Sequence, residues 1–356
     1  MRMQLAKPIG PGRRPRFEAV VPCYNYGAFL PDCVRSLLDQ PGLDVRVTIV
    51  DDASTDGSGA IADALAEADS RVRVLHNAQN LGMVGTFNRG IAQVDSDYML
   101  LISADDMVAP GALVRGAAVL EHHPRVGLVY GHAQKFTVAP RVRREPPVVS
   151  WSVWQGSEWI EMQLLRSWSN ISSPEAIVRT SVQHAVGPYD PGLRHTLDVE
   201  MWLRIAAVSD VAHINGVDQA YYRRQADSHS TQFGRYQDIE ERWRAYDQFL
   251  RGWDRPAHAR QLRPVIQQNL AAEALRALAD ELEEAATGEV PAHATTVLAL
   301  AERIRPGVLR SPVAADVLTL VGGEPPRGPG AAARRARREL ARASRWHRWH
   351  RVRPLG

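Results

Sequence analysis

The first 130 residues alternate between short, continuous apolar runs and segments whose apolar residues fall at helical spacing. The runs are rich in β-branched residues, which is typical of buried strands, and the spaced segments predict amphipathic helices. The pattern predicts strands over residues 17–22, 45–50, 72–75, 98–102 and 126–130. It predicts helices over residues 30–38, 58–68 and 82–91, and a further helix that is opened by Pro110.

Strands that alternate with helices of about ten residues indicate βαβ units and a mostly parallel sheet. We therefore expect an α/β fold with a central sheet flanked by helices. Ligands of such sheets bind beyond the carboxyl ends of the strands. Polar pairs occur at three of these ends, namely Tyr24-Asn25, Asp51-Asp52 and Asp105-Asp106.

The pattern loosens after Tyr130 and becomes helical from about Asp238 to Leu320, followed by a Gly/Pro-rich stretch and an arginine-rich end. Before that, a strand is expected over residues 175–179 and a helix over residues 199–208. The sequence predicts four parts: a flexible N-terminal arm (1–15), the α/β domain (16–235), a helical extension (236–321), and a linker with a basic tail (322–356).

Composition and charge exclude few classes of protein. The chain has 356 residues, 45% of them hydrophobic and 23% charged, with a net charge of +3. These values are ordinary for globular proteins. The two cysteines, Cys23 and Cys33, match neither a zinc pattern nor a disulfide framework. Because the sequence also lacks an apolar signal segment and a run long enough to span a membrane, we expect a reduced, cytoplasmic setting.

The acidic pair Asp105-Asp106 ends an apolar strand and is the first candidate for chemistry. Carboxylates are hard oxygen ligands that suit Mg²⁺ or Mn²⁺, and such ions commonly bridge to substrate phosphates. Asp is also favoured in turns and at helix N-caps, so the pair alone admits a purely structural interpretation.

Four motifs, which follow one another along the chain, favour a functional role for this acidic pair. They are Val20-Val-Pro-Cys-Tyr-Asn25, Ile49-Val-Asp-Asp-Ala-Ser-Thr-Asp56, Asn80-Leu-Gly82 with Asn88, and Leu101-Ile-Ser-Ala-Asp-Asp106. Together they resemble the inverting family 2 glycosyltransferases of the GT-A fold, over about residues 17–231. The resemblance implies transfer of a sugar from a nucleotide-diphosphate donor, with UDP or dTDP favoured, to an acceptor hydroxyl.

The resemblance also implies roles for residues of the first half. Donor nucleotide binding falls to six of them: Pro22, Tyr24, Asn25, Asp52, Asn88 and Asp105. Asp106 would ligate a divalent cation, Mn²⁺ or Mg²⁺, on the diphosphate. The family's Asp-x-Asp motif would place an acid at Ser103, where this chain has serine. For Asp51-Asp52, a polar turn before the next helix is the structural alternative.

An inverting transfer needs a base that accepts the proton of the acceptor hydroxyl. The segment from His195 to Arg204 is similar to the family's Glu-Asp motif and places Asp198 at the position of the base. Leu197 replaces the usual preceding acid. Asp198 would also lie in a first helical turn, where an acid is favoured electrostatically. Glu200 is a second candidate base, but is expected to be a solvated helix residue.

Several aromatic and histidine residues of the second half have expected roles at the site. Tyr222-Arg223 followed by His229-Ser230 is similar to the family's closing loop, which makes His229 a candidate for contact with metal or phosphate. The three tryptophans of the acceptor side are Trp151, Trp154 and Trp168. Aromatic rings suit sugar rings, but core packing is the more common role and is slightly favoured here.

The basic tail would form an amphipathic helix with Leu340, Trp346 and Trp349 on one face and arginines around it. Such helices bind membrane surfaces, which would suit a lipid-linked acceptor and a position at the inner membrane face. A saccharide or small-molecule acceptor and a solvated tail remain open. No nucleic-acid partner is expected, because no recognised motif supports one.

Two other functions stay in view. Ser103 and Leu197, which replace acids, are compatible with a nucleotide-sugar-binding protein without turnover. A sugar nucleotidyltransferase is disfavoured, because such enzymes usually carry a Gly-rich basic loop after the first strand, where this chain has Cys23-Tyr-Asn-Tyr-Gly27.

Overall fold

The computed structural model describes residues 1–10, 14–142, 150–167, 171–225, 233–284 and 290–322. Two compact units are present. The first comprises residues 1–163 with 168–232, and the second comprises residues 164–167 with the chain from residue 233 onward. His229, Trp168 and the basic tail, all singled out above, lie outside the described residues.

The first half of unit 1 follows the predicted alternation of strands and helices. Its elements are β1 (Arg2–Leu5), β2 (Arg16–Cys23), α1 (Leu30–Leu38), β3 (Asp44–Asp51), α2 (Ser58–Ala68), β4 (Val72–His76), α3 (Gly82–Ile91), β5 (Tyr98–Leu101), β6 (Met107–Val108) and α4 (Ala112–His122).

The second half of unit 1 adds longer strands and shorter helices. Its elements are β7 (Val126–Phe136), β8 (Ser150–Trp154), α5 (Gly156–Arg166), a 3₁₀ helix (Ser173–Glu175), β9 (Ile177–Arg179), α6 (Thr180–Val186), α7 (Leu197–Val208) and β10 (Asp210–Arg223).

One central sheet joins these strands in the order β1-β8-β10-β7-β9-β5-β2-β3-β4, with β6 paired to β10. Pairing is parallel from β5 through β2 and β3 to β4, and again between β7 and β10. The remaining pairs are antiparallel. The predicted α/β fold with a central sheet flanked by helices is confirmed. Parallel pairing prevails only in the half of the sheet built by the βαβ units, so the sheet as a whole is mixed.

Helical spacing explains how α1 covers this sheet. Leu30, Cys33, Val34 and Leu37 recur at three- and four-residue intervals and are buried, which is the pattern of a helix that buries one face. Strand β3 is β-branched and buried on both faces from Val47 to Val50, with Thr48 as its one polar residue there, as expected for a central parallel strand. Burial of these elements aligns the carboxyl ends of β2, β3 and β5 along one edge.

The N-terminal arm differs from the prediction. Residues 2–5 form β1, which pairs antiparallel with β8 at the edge of the sheet. Arg2-Met-Gln-Leu5 alternates polar and apolar residues over only four positions, and its apolar residues Met3 and Leu5 are exposed. Burial of an apolar face therefore does not explain why β1 pairs with β8.

Unit 2 is helical in the residues that the structure describes. It contains α8 (Arg235–Gly252), α9 (Pro256–Glu284), α10 (Ala294–Ile304), a 3₁₀ helix (Val308–Arg310) and α11 (Pro312–Val321). Arg242 is 3% exposed and forms ion pairs with Asp238 and Glu273. Among the described residues, no helix has the length and apolar character that crossing a membrane requires.

Candidate active site

The loops after β2 and β3 are bonded to each other. The Asn25 N–H donates to Ser54 Oγ at 3.1 Å, and the Thr55 N–H donates to Asn25 Oδ1 at 2.8 Å. Asn25 and Ala53 both have a φ of +58°. Left-handed backbone is unfavourable for Ala, and such residues cluster at functional sites. Asn25 therefore acts here as a bridge between two loops at the edge of the sheet.

The remaining predicted residues of the first loop differ in exposure. Pro22 is half-buried in β2 beside Val50, whereas the Tyr24 side chain is 45% exposed. Close packing requires a glycine at position 27, because a Cβ there would lie 2.8 Å from Ser58 Cα. This close approach fixes the first loop against the start of α2.

Asp52 is buried and held in one orientation. Its Oδ1 accepts hydrogen bonds from Asn77 Nδ2 at 2.6 Å and from the Leu81 N–H at 2.7 Å. Asn77 also donates to Thr86 Oγ1 at 3.2 Å and accepts from Arg89. Sequence reasoning missed Asn77, although it directly follows β4, a strand end at which polar residues are expected.

The neighbouring Asp51 contacts a histidine instead. Its Oδ2 lies 3.1 Å from His76 Nδ1, and His76 Nε2 lies 2.9 Å from Asp63 Oδ1. The two carboxylates, Asp63 first, raise the pKa of His76. The Asp51 carboxylate binds His76, whereas the Asp52 carboxylate binds the loop after β4 through the Leu81 N–H.

The acidic pair after β5 is tied to the end of β10. The Arg223 N–H donates to Asp106 Oδ1 at 2.8 Å, and Gln225 Nε2 donates to Asp105 Oδ2 at 2.9 Å. Asp106 is 2% exposed. Burial, and then the charge of Asp105, raise the pKa of Asp106, while burial also raises the pKa of Asp105.

The Arg223 guanidinium is placed beside this pair by aromatic rings. It lies 4.7 Å from the ring centre of Phe29 and 4.5 Å from that of Phe136, which is the range of cation–π contact. Its Nε donates to the Asp105 carbonyl at 3.0 Å. Phe29 precedes α1, so Arg223 connects the loop after β2 with the acidic pair.

The two carboxylates fit a divalent cation. Mg²⁺ and similar ions often take one or two protein carboxylates and complete their shell with phosphate oxygens and water. Within the described residues, no cluster of three or more His, Cys, Asp or Glu side chains is suited to a metal. Asp105 and Asp106 repel each other in a buried setting, and a cation would relieve this repulsion. The Ser103 carbonyl oxygen accepts a hydrogen bond from the Asp106 N–H at 3.0 Å.

Asp198 lies in the first turn of α7, as the sequence predicted. Its Oδ2 accepts a short hydrogen bond from Ser173 Oγ, and the Tyr189 phenol also hydrogen-bonds its carboxylate. Its Oδ1 is buried and has no hydrogen-bond partner among the described residues. Burial raises the pKa of Asp198, and the two hydroxyls act in the opposite direction.

The Ser173 turn links Asp198 to the acidic pair. The 3₁₀ helix that begins at Ser173 contacts β6 and β10. Strand β6 starts directly after Asp106, and β10 ends at Arg223, which binds that carboxylate. Asp198 and Asp106, far apart in sequence, are thus joined through two neighbouring elements.

The Asn88 side chain binds the backbone of Tyr189. Its Nδ2 donates to the Tyr189 carbonyl at 2.9 Å, and its Oδ1 accepts from the Tyr189 N–H at 2.8 Å. Both polar groups of the amide are therefore engaged with the backbone. Asn88 fixes Tyr189, which packs edge-on against Phe87 with ring centres 5.8 Å apart.

Glu200 is not the solvated residue that we expected. It is 3% exposed, and both of its oxygens accept from Arg204 Nε, at 2.8 and 2.9 Å. Arg204 also donates to the carbonyls of Val186 and Pro188. Because Glu200 is buried and both of its oxygens bind Arg204, we assign it to this ion pair and not to a second base.

Glu175 is a buried acid that sequence reasoning missed. Its Oε1 accepts from the Ser172 N–H at 2.8 Å, closing a capping box, while its Oε2 has no hydrogen-bond partner among the described residues. Burial raises the pKa of Glu175 to about 8. No local pattern indicated this burial, because Glu175 precedes a strand of only three residues.

The two described tryptophans of the predicted acceptor side belong to the core. Trp151 is 2% exposed and packs against the rings of His122 and His123, while Trp154 is 7% exposed. Both lie in β8 between β1 and β10. Rings buried in the core present no face to a sugar, so we assign them to packing.

Comparisons with known proteins indicate the family and the fold. Residues 18–175 match the family model "Glycosyl transferase family 2". Glycosyltransferase GlyG of Streptococcus pneumoniae serotype 4 is 42% identical over 26% of this chain and 30% of its own length. The PGL/p-HBAD biosynthesis glycosyltransferase of Mycobacterium bovis BCG is 26% identical over 53% of this chain and 69% of its own length.

Two solved structures have a fold similar to that of this chain. S. aureus TarS 1–349, in complex with UDP-GlcNAc, has a TM-score of 0.59 and 16% identity, covering 88% of this chain and 93% of TarS 1–349. The mannosyltransferase PcManGT from Pyrobaculum calidifontis, in complex with GDP-Man and Mn²⁺, has a TM-score of 0.54 and 17% identity, covering 89% and 88%. Residues 18–175 are therefore similar to the family 2 glycosyltransferases, and the fold of the chain is GT-A.

Proposed function

We propose that the chain is an inverting glycosyltransferase that moves a sugar from a nucleotide-diphosphate donor, UDP- or dTDP-sugar favoured, to an acceptor hydroxyl. The observation that carries this proposal is the buried Asp198 carboxylate. One of its oxygens is without a partner among the described residues, and the Ser173 turn connects it to the strand behind Asp106.

Asp198 would act as the base. The acceptor oxygen attacks the anomeric carbon, its proton passes to Asp198 Oδ1, and the bond from that carbon to the diphosphate breaks. A base works best when its pKa lies near the working pH, and burial raises the pKa of Asp198 in that direction.

The donor would be held by the loops at the edge of the sheet. Asp52 has Oδ1 fixed by Asn77 and Leu81 and would accept a hydrogen bond from a base N–H with its other oxygen. Tyr24 offers an exposed ring for stacking. Asp105 and Asp106 would hold Mn²⁺ or Mg²⁺, which when bound neutralises charge on the leaving diphosphate.

The acceptor and the cellular location are part of the same proposal. PGL/p-HBAD biosynthesis is named for one relative, and the basic tail of this chain has the composition of a membrane-surface helix. We propose a saccharide or lipid-linked acceptor and a cytoplasmic protein in peripheral contact with the inner membrane face.

The central test compares wild type with Asp198→Asn. Donor binding is measured by thermal shift with UDP-, dTDP- and GDP-sugars, with and without Mn²⁺, because a bound ligand raises apparent stability. Transfer is measured as nucleoside diphosphate released with saccharide and polyprenyl-phosphate sugar acceptors. We expect Asp198→Asn to bind donor normally and to lose at least about a thousandfold in transfer, or about 4 kcal/mol.

Two outcomes would contradict the proposal. Wild-type binding without any transfer over these acceptors would favour the nucleotide-sugar-binding protein. Release of pyrophosphate from UTP and a sugar 1-phosphate would favour the nucleotidyltransferase. Removing divalent cations with EDTA should abolish transfer by the wild type, and Mn²⁺ or Mg²⁺ should restore it.

A further inference from the structure

Two hydroxyl groups from outside α7 converge on the candidate base. Ser173, in the 3₁₀ helix, donates to Asp198 Oδ2, and Tyr189, in the loop before α7, hydrogen-bonds the same carboxylate. We propose that Ser173 and Tyr189 are positioning residues that hold this carboxylate so that Oδ1 faces the acceptor hydroxyl. The inference rests on the proposed function of Asp198.

Helix α7 alone does not orient this side chain. Its N-cap residue is Thr196, which makes no capping hydrogen bond from its side chain. A carboxylate in a first helical turn is free to bend back and cap the helix. The Ser173 hydroxyl holds Oδ2 from a separate element, and Oδ1 stays buried without a partner among the described residues.

Each positioning residue is itself fixed. The capping box between Ser172 and Glu175 closes the turn that carries Ser173. The backbone of Tyr189 is clamped on both sides by the Asn88 amide. An oriented acid supported by a second layer of fixed groups is the arrangement that precise proton transfer requires.

Charged groups around Asp198 and Tyr189 act on the pKa of Asp198 together with the two hydroxyls. His195 lies near Asp198 and lowers its pKa, while Glu200 and Arg204 of α7 face Tyr189. The 3₁₀ helix contributes Glu175, which Lys135 of β7 faces, and His184 of α6 is exposed. Donation of hydrogen bonds to a carboxylate favours its ionised form. Removing a hydroxyl should therefore raise the pKa of Asp198.

The test uses Ser173→Ala and Tyr189→Phe in the full chain. A base must be ionised, so kcat rises with pH through its pKa. We expect the acidic limb of the kcat profile to move upward by about one pH unit in each variant, and the rate above the limb to recover to within about tenfold of wild type. Ser173→Thr, which keeps the hydroxyl, should retain the wild-type limb.

A matched control removes a similar hydroxyl elsewhere. The Tyr98 phenol donates to Glu121 Oε1 at 2.6 Å, at the start of β5, so Tyr98→Phe loses a tyrosine–carboxylate bond away from the site. We expect its limb to stay in place. An unmoved limb in Ser173→Ala and Tyr189→Phe, or an equal loss of rate at every pH, would overturn the inference.

An independent readout separates this inference from the proposed function. The Asp198 carboxyl can be followed by ¹³C NMR of aspartate-labelled protein, with Asp198→Asn identifying its signal. An upward shift of this titration in both variants supports the positioning role even if no transfer is found, in which case only the proposed function fails. If the wild type transfers sugar but the Asp198 titration is unshifted in both variants, the positioning role is rejected and the proposed function stands.

Discussion

The Asn77 side-chain amide donates a 2.6 Å hydrogen bond to Asp52 Oδ1. The two residues follow adjacent parallel strands, Asp52 after β3 and Asn77 after β4. Arg89 of α3 in turn donates to Asn77. The orientation of the candidate nucleotide-binding acid is therefore set by a residue 25 positions away.

Replacing Asn77 with Ala should weaken nucleotide binding. Asp52 would lose one of its two donors to Oδ1, and Arg89 would keep only the His76 carbonyl as acceptor. Because hydrogen bonds to charged groups contribute about 1.5–3 kcal/mol, we expect at least about a tenfold loss of affinity. Titration calorimetry with UDP, dTDP and GDP measures it. Asn80→Ala removes an exposed amide of the same turn and should bind like wild type; equal affinity in Asn77→Ala would contradict a role for Asp52.

Replacing Glu200 with Gln should lower the free energy of unfolding but have little effect on the rate of transfer. The change leaves Arg204 without its charged partner, but the Arg204 side chain is 24% exposed and keeps two carbonyl acceptors. The loss should therefore be about 1–3 kcal/mol, below the cost of breaking a fully buried pair. Urea unfolding measures this loss. Transfer per folded molecule should fall less than about tenfold, since we assign Glu200 to the ion pair with Arg204 and not to proton transfer. A loss as large as that of Asp198→Asn would mean that Glu200 takes part in proton transfer.

The buried Glu175 should make stability depend on pH. Burial raises its pKa from 4.5 to about 8, so the folded state holds a proton that the unfolded state releases between these values. This contribution to stability is complete below pH 4.5 and is lost as the pH rises to about 8. The expected slope is at most about 1.4 kcal/mol per pH unit.

Glu175→Gln provides the matched comparison for this effect. Glutamine resembles the protonated acid and keeps an oxygen for the Ser172 N–H. Urea unfolding at a series of pH values from 5 to 8 should show a smaller decline in the variant than in wild type. Parallel curves would indicate that Glu175 ionises normally in the folded protein.

The basic tail yields a prediction that rests on sequence alone. Its arginines and tryptophans predict attraction to anionic membranes, and such attraction weakens as salt screens charge. We expect the full chain to co-sediment with vesicles containing anionic lipid at low salt and to dissociate at high salt. Deleting residues 331–356 should abolish the binding; unchanged sedimentation after deletion would reject the membrane role of the tail.

The order of strands and helices in the first half of unit 1 could be predicted from sequence. In β3, buried β-branched residues are continuous from Val47 to Val50, and in α1 buried apolar residues recur at helical spacing, so local pattern and tertiary burial agree. The placement of Asp52 and Asp106 at strand ends follows from the same pattern, because parallel strands joined by helices align their carboxyl ends.

Tertiary structure alone decided how the polar groups pair. Asn88 binds the Tyr189 backbone, Glu200 binds Arg204, and Ser173 binds Asp198. Two of these contacts join segments 101 and 25 residues apart, and a polar residue carries no local signal of which distant group it meets. Hydrophobic periodicity reports only whether a side chain faces the core. The partner of a buried polar group depends on loop geometry and long-range packing, which local sequence does not encode.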